Sequence, residues 1–136
     1  MLSVSRHLSV SRHIDAPADT VWNVLVDTDA WPQWGPTVAG GEIDGGELRL
    51  GATGRVRTPV GIALPFTVTE FVPGRRWAWA VAGVPATAHA VQPDGDGCRA
   101  SMSAPFWAAA YLPVLAIALA RIDRMCRTPQ QPPTTN

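Results

Sequence analysis

Two short helices directly follow a first strand in residues 15–36, which read DAPADTVWNVLVDTDAWPQWGP. Pro17 suits a first helical position because its missing N–H would be unpaired there. Asp19 then places a carboxylate near the positive end of the helix. Apolar residues recur at the spacing of a buried helical stripe, at Ala18, Val21, Trp22 and Leu25. This pattern predicts that the first helix lies on another layer of structure.

A second short helix is expected after Asp29 and contains the Trp-Pro-Gln-Trp turn. The side-chain oxygen of Asp29 can accept a hydrogen bond from a free backbone N–H of the first turn. Gly35, followed by Pro36, then ends the helix. From residue 38 to residue 105, clusters of glycine, proline and aspartate recur at intervals typical of an antiparallel meander. The sequence therefore predicts about six strands after the two helices.

The predicted strands have one apolar and one polar face. Trp77 and Trp79 share a face of one strand. Between Cys98 and Ser103, apolar and polar side chains alternate with the period of two of a half-buried strand. Alanines are frequent beside the tryptophans, although alanine is a poor strand residue with little volume. The region therefore combines large indoles with small side chains that leave room next to them.

A long final helix is expected to begin near Trp107 or Pro113 and to run to about Arg127. Its apolar stripe consists of Leu112, Leu115, Leu119, Ile122 and Cys126. Charged residues are expected on the other side, at Arg121, Asp123, Arg124 and Arg127. The uncharged residues 104–120 are too few for a span of about 20 residues, and they include prolines. We therefore expect no integral membrane span.

The length of 136 residues fits one domain, which we place at residues 1–127. Residues 2–7 and residues 8–13 are tandem copies of LSVSRH, so residues 1–7 are interpreted as a duplicated N-terminal extension. Residues 128–136 are polar and rich in proline, and a disordered tail is expected there.

Composition and spacing exclude several classes of function. The formal net charge is +0, with 11 basic and 11 acidic residues, which argues against a nucleic-acid-binding protein. His7 and His13 have no third ligand nearby, so no metal site is expected. Cys98 and Cys126 have no partner at a ligand spacing and are expected to be small buried apolar residues. The N-terminus lacks the apolar segment of a secretory signal, so we expect a cytoplasmic protein.

The order of the elements and three stretches of sequence resemble a known superfamily. The stretches are SRHIDAPADTVWNVLVDTDAWPQW, LPFTVTEFVPGRRWAWAVAG and ATAHAVQPDGDGCR. Over residues 8–127 the chain is similar to the START-related, polyketide-cyclase and pollen-allergen superfamily, nearest its small bacterial polyketide cyclase/dehydrase branch. The resemblance implies an α+β helix-grip fold, in which a curved antiparallel sheet of about seven strands wraps a long C-terminal helix around an internal cavity. It also implies a hydrophobic small-molecule ligand, either a lipid or a polyketide-like molecule, and no cofactor.

The resemblance places a candidate ligand cavity between the sheet and the final helix. The residues expected to line it are Trp34, Phe66, Val68, Trp77, Trp79, His89, Met102, Leu115 and Leu119. For Trp34, Trp77 and Trp79, ordinary core packing is an equally open interpretation, whereas Trp22 is expected in the core. His89 is the candidate catalytic residue, because an imidazole can titrate near neutral pH. The alternative for His89 is a strand histidine that faces water or satisfies one backbone group.

Further polar candidates for such a pocket are Glu70, Arg55, Arg57 and Tyr111. Arg55 and Arg57 share a strand face, and we expect that face to be exposed, because an unpaired interior charge is heavily penalised. The alternation of side chains breaks down before Glu70, so its side of the sheet is not assigned.

Three functions fit these patterns. The first is binding or transport of a hydrophobic small molecule, and the second is a polyketide cyclase or dehydratase that uses His89. The third is an interaction module, in which the apolar start of the last helix forms a homodimer contact or a membrane contact. That start contains Phe106, Trp107, Tyr111 and Val114. The implied cavity, and the room left beside the tryptophans, favour the first function.

Overall fold

Within residues 7–127, the part of the chain that this computed structural model describes, seven antiparallel strands form a single curved sheet. The strands are β1 (His7–Ile14), β2 (Gly40–Ile43), β3 (Thr53–Arg57), β4 (Ala63–Val72), β5 (Arg76–Val81), β6 (Val84–Asp94) and β7 (Gly97–Pro105). Their order in the sheet is β1-β7-β6-β5-β4-β3-β2. The predicted tail, and the predicted extension apart from His7, lie outside the described residues.

Three α-helices complete the described fold. Between β1 and β2 lie α1 (Ala18–Val26) and α2 (Trp31–Trp34). After β7, a 3₁₀ segment (Phe106–Tyr111) leads into α3 (Leu112–Cys126). This α+β arrangement of one strand, two helices, six strands and a long helix confirms the predicted helix-grip fold.

The strand register places Trp77, His89 and Met102 side by side on the concave face of the sheet. Met102 in β7 is buried, while its neighbours Arg99 and Ser101 are partly exposed. The alternation predicted for this strand is therefore confirmed at these positions, and it follows from the two-residue period of a pleated strand. The prediction was wrong for Ser103, which is 8% exposed and lies between β1 and β6.

The helices cover only part of the concave face. α3 packs against β1 and β7 at one side of the sheet, and α1 packs against β6 and β7. α2 contacts α3 and β2. The concave side of β3, β4 and β5 is therefore less covered by helices than the rest of the sheet.

The ends of the short helices differ from the prediction in two details. Pro17 is the N-cap of α1, with an extended ψ of 149°, instead of its first helical residue. Asp29 does not cap α2 with its side chain; its backbone N–H donates to Oδ1 of Asp27 at 2.9 Å, the two-residue spacing of an Asx turn. Gly35 ends α2 as predicted, with its N–H donating to the carbonyl of Trp31 at 2.7 Å.

The final helix buries the middle of the predicted stripe together with one carboxylate that was not expected there, while Leu112 and Cys126 at its ends are only partly buried. Leu115, Leu119 and Ile122 are buried. Asp123, which the pattern assigned to the polar side, is only 8% exposed, and its Oδ2 accepts a hydrogen bond from Nε of Arg12 at 2.6 Å. The prediction for Asp123 was wrong because this position borders the stripe, where the edge strand β1 supplies a cation.

Asp123→Ala is expected to lower the free energy of unfolding by about 1–2 kcal/mol, because it removes a charge-assisted hydrogen bond and leaves Arg12 unpaired. Glu42→Ala is the matched control. It breaks a pair with Arg57 whose arginine is equally exposed, 46% against 45%, but whose carboxylate is 60% exposed instead of 11%. The control is expected to change stability by less than about 0.5 kcal/mol. Urea unfolding measures the loss of stability in both variants. Equal losses of stability would contradict a special role for Asp123.

The stretch Phe106–Cys126 has the length and apolar composition of a membrane-crossing helix, with a mean hydropathy of 1.5. Composition of this kind is weak evidence, since the core helix of a soluble protein can share it. Ala108 has non-helical angles, φ −106° and ψ 31°, which interrupt the stretch, and the stripe on α3 faces the sheet. Only 28% of the most apolar 18 residues of this stretch are buried, so much of its apolar surface is exposed.

Candidate ligand-binding pocket

A cavity of about 320 Å³ opens on the concave side of the sheet, beside the 3₁₀ segment. We call it the outer cavity. Its lining residues are Thr37, Val38, Val56, Thr58, Leu64, Trp79, Val81, Val84, Pro85, Ala86, Thr87, Ala104, Trp107, Ala108 and Tyr111. The cavity therefore spans the less covered strands β3 to β5 and reaches the ends of β6 and β7 next to the 3₁₀ segment.

The antiparallel register brings these residues to one end of the sheet. Val56 pairs with Leu64 next to the β3–β4 hairpin, and Val81 pairs with Val84 across the β5–β6 turn. Ala104 lies at the end of β7, where the chain turns into the 3₁₀ segment. Strand ends that are far apart in sequence therefore meet around one opening.

Strand alternation keeps charged side chains out of the outer cavity. In β3, Val56 is buried and lines the cavity, while Arg55 and Arg57 on either side of it are exposed. Nη1 of Arg57 donates to Oε1 of Glu42 at 2.8 Å. The expectation that both arginines point outward is therefore confirmed.

Glu70 is also an outward residue. The pairing of β4 with β5 shifts between Val68 and Glu70, as in a β-bulge, which explains why simple alternation could not assign Glu70. Its carboxylate is 53% exposed and accepts a hydrogen bond from Nε of Arg76 at 3.0 Å. Glu70 is therefore part of a surface ion pair and does not line the outer cavity.

A much smaller void of about 30 Å³, the inner chamber, lies deeper in the fold and shares Trp79, Thr87 and Tyr111 with the outer cavity. This volume suits roughly one or two water molecules rather than a ligand. Aromatic rings fill the space around it. Trp77 stacks on Trp31, with ring centroids 5.6 Å apart, and on His89 at 4.1 Å. The space between the sheet and α3 is therefore mostly filled, and the usable volume is the outer cavity.

The imidazole of His89 is the centre of a hydrogen-bond chain beneath the outer cavity. Trp79 Nε1 donates to Thr87 Oγ1 at 3.0 Å, which leaves the Thr87 hydroxyl hydrogen available for His89 Nε2 at 3.1 Å. His89 Nδ1 then donates to the carbonyl of Trp77 at 3.3 Å. In this assignment each donor of the hydrogen-bond chain is used once, and the imidazole of His89 must be neutral.

Burial lowers the pKa of His89 to about 3, and the nearby charge of Arg76 acts in the same direction. The side chain is 2% exposed and faces the interior. At neutral pH the ring is therefore uncharged, and both of its nitrogens are engaged. This geometry matches the alternative of a strand histidine that satisfies a backbone group.

The residues predicted to line a cavity fall into three groups. Trp79 lines the outer cavity and the inner chamber. Four others line the inner chamber only, namely Trp34, Trp77, His89 and Leu115. The remaining four are buried in the core and line neither space, namely Phe66, Val68, Met102 and Leu119.

Several lining residues of the outer cavity were not predicted to lie in a ligand site. Thr87 and Ala104 occupy strand ends that only the register brings together. Trp107 and Tyr111 were considered for other roles, as a contact residue and as a polar candidate, and both line the cavity. The hydroxyl groups of Tyr111 and Thr37 form a hydrogen bond with each other that joins the two sides of this end of the fold.

The fold and the pocket together define the class of protein: a small helix-grip protein with an apolar cavity. Residues 5–124 match the family described as polyketide cyclase / dehydrase and lipid transport, and the chain belongs to this family. No curated protein matches the sequence.

Several solved structures of bacterial proteins share the fold at low identity. A Nitrosomonas europaea protein is 17% identical, with a TM-score of 0.68, and the match covers 91% of this chain and 96% of that one. The Aha1 dimer from Colwellia psychrerythraea is 15% identical, with a TM-score of 0.68 and coverage of 93% and 99%. A Mesorhizobium loti protein is 12% identical, with a TM-score of 0.71 and coverage of 88% and 96%. At such identities the similarity concerns the fold alone.

Proposed function

We propose that this protein is a cytoplasmic carrier or sensor that holds a hydrophobic small molecule, of the lipid or polyketide-like kind, in the outer cavity. The observation that carries the proposal is the cavity of about 320 Å³ itself, which has an almost entirely apolar lining. Small-molecule sites typically have volumes of about 300–1,000 Å³ and few polar groups. Membership of a family that includes lipid transport supports the same class of ligand.

The state of His89 supports binding over acid–base catalysis as the role of this site. A general base works best with a pKa near the working pH, whereas the pKa of His89 is about 3. Its ring is also separated from the outer cavity by Thr87 and Trp79, which line both spaces. We therefore assign His89 the role of holding Thr87 and Trp79 in place at the cavity wall.

Native mass spectrometry of the purified protein, followed by solvent extraction, tests the proposal directly. We expect a co-purifying apolar molecule, or saturable binding of members of a panel of fatty alcohols, sterols and aromatic polyketides. Trp79 and Trp107 line the outer cavity, so intrinsic tryptophan fluorescence reports occupancy. An empty protein that responds to no member of the panel would refute the proposal.

A second candidate function is self-association through the 3₁₀ segment. Phe106 and Trp107 are 56% and 60% exposed, and apolar residues of α3 such as Ile117, 47% exposed, continue this surface. Exposed apolar patches of this kind commonly mark contact sites. The Colwellia psychrerythraea structure of the same fold is a dimer, which supports a second copy of the chain as the occupant.

Phe106→Ser is expected to shift a dimer toward monomer in multi-angle light scattering, because it removes an apolar side chain from the proposed contact. Leu50→Ser is the matched control, since Leu50 is 64% exposed but lies before β3, away from the 3₁₀ segment. A wild-type protein that is monomeric at all concentrations would refute this function. Monomers that bind vesicles would assign the surface to a membrane instead.

A further inference from the structure

The outer cavity is notable for the chemistry of its polar groups. Among the described residues that line it, none carries a charge at neutral pH, and the polar side chains are Thr37, Thr58, Thr87 and Tyr111. The alternation of β3 explains this, because it turns Arg55 and Arg57 to the opposite face from Val56. A ligand inside therefore meets hydroxyl groups and apolar surface but no cation.

The hydroxyl groups are already engaged within the protein. Thr37 and Tyr111 bond to each other, and Thr58 Oγ1 donates to the carbonyl of Ile62 at 3.1 Å. Thr87 bonds to Trp79 and His89. Each hydroxyl oxygen retains some acceptor capacity, but few hydrogens are free to solvate a ligand anion. A buried carboxylate would therefore lose most of its hydration, and the remaining donors, one hydroxyl of the Thr37–Tyr111 pair and the indole N–H of Trp107, would replace only part of it.

Within residues 7–127, no lining residue at the rim of the cavity is a cation that could pair with an anion near the opening. Val84 and Trp107 line the cavity and are also exposed, at 47% and 60%. Arg57, which follows the lining residue Val56 in β3, is turned to the opposite face and paired with Glu42. An acidic head group at the described rim would therefore lie against apolar side chains.

We infer that the outer cavity selects electrically neutral apolar molecules, such as alcohols, esters and ketones, over carboxylates and phosphates of the same hydrophobic body. The inference rests on the hydrophobic-ligand function proposed above and specifies the class of ligand. The sign of the selection follows from desolvation, because the neutral molecule loses little hydration on entry and the anion loses much.

Matched ligand pairs test the inference by isothermal titration calorimetry. The pairs are 1-decanol with decanoate, and methyl 2-naphthoate with 2-naphthoate, all at neutral pH. We expect the neutral member of each pair to bind at least about tenfold more tightly. Equal affinities, or tighter binding of the anions, would overturn the inference and leave the proposed function standing. If no member of either pair binds, the inference fails, and the proposed function is then decided by the wider ligand panel described above.

Val84→Lys provides a gain-of-function arm of the same experiment. An ammonium group at this half-exposed rim position stays hydrated and can pair with a carboxylate, which should narrow the ratio of alcohol to carboxylate affinity by about threefold. Val72→Lys is the matched control, because Val72 is 52% exposed but does not line the cavity. This control should keep the wild-type ratio. An unchanged ratio in Val84→Lys would contradict the proposal that the missing cation sets selectivity.

Discussion

Ala104→Phe is expected to weaken ligand binding roughly 100-fold while the protein stays folded. Ala104 is 1% exposed, lies at the end of β7 and lines the outer cavity, so a phenyl ring there would enter open volume. If the ring displaces roughly 100 Å² of buried ligand surface, at about 25 cal/mol per Å² the loss is about 2.5 kcal/mol, or nearly 100-fold in affinity. Titration with the bound members of the ligand panel measures this effect.

Ala110→Phe is the matched control for the cavity-filling variant. Ala110 is exposed on the 3₁₀ segment and does not line the outer cavity. It should bind ligand as the wild type does. Circular dichroism and a urea midpoint verify that both variants fold. If Ala104→Phe is folded and binds normally, the ligand does not occupy the outer cavity.

The second large effect is a loss of stability at acid pH that depends on His89. In the unfolded chain a histidine has a pKa near 6.5, whereas burial lowers the pKa of His89 to about 3 in the folded protein. Between these values the unfolded state binds a proton and the folded state does not. Stability is therefore full above about pH 6.5 and falls by about 1.4 kcal/mol per pH unit as the pH decreases toward 3.

Urea unfolding at several pH values between 7.5 and 4 measures this slope. His89→Asn should remove the slope, because asparagine does not titrate. The measured quantity is the change in the free energy of unfolding with pH, so a lower stability of the variant at neutral pH does not obscure the result. His13→Gln is the control: the hydrogen bond that His13 donates to Asp94 raises the pKa of exposed His13, which gives the opposite sign, so this variant should retain the acid loss. An unchanged slope in His89→Asn would show that other groups cause it.

The burial that keeps His89 neutral also affects the wall of the outer cavity. A neutral His89 can accept the Thr87 hydroxyl hydrogen at Nε2 and donate from Nδ1 to the Trp77 carbonyl, whereas a charged ring could not accept. Thr87 in turn receives the indole N–H of Trp79, which lines the outer cavity. Acid that protonates His89 is therefore expected to disturb the cavity wall as well as the core.

Local patterns in the sequence were sufficient for the element order and for most assignments of sheet face. Pro17, the apolar stripe of α1 and Gly35 mark the two short helices because helix ends and periodicity depend on neighbouring residues only. The outward position of Arg55 and Arg57 follows from the two-residue period of a strand. Glu70 could not be assigned to a face because a bulge changes that period, and no residue type in the chain indicates the bulge.

The candidate site was predicted less completely, for a geometric reason. Alternation correctly assigned Trp77 and Met102 to the apolar face, whereas the side of His89 was left open and only the structure places it inside. Alternation also says nothing about how far along the strand a helix covers that face. α3 packs on β1 and β7, so the space near Met102 is filled and the open volume lies beside Trp79. The salt bridge between Arg12 and Asp123 was missed for the same reason, since it joins residues 111 positions apart.

The sequence alone thus determined the order of helices and strands and, through strand alternation, the inward position of Trp77 and Met102 and the outward position of Arg55 and Arg57. Only the tertiary structure decided where α3 lies across the sheet, and hence that a cavity remains over β3 to β6 beside the 3₁₀ segment. It also decided that His89 is neutral, because desolvation depends on every group packed around the ring. Periodicity is a property of neighbours along the chain, whereas uncovered volume and desolvation are properties of contacts between distant segments.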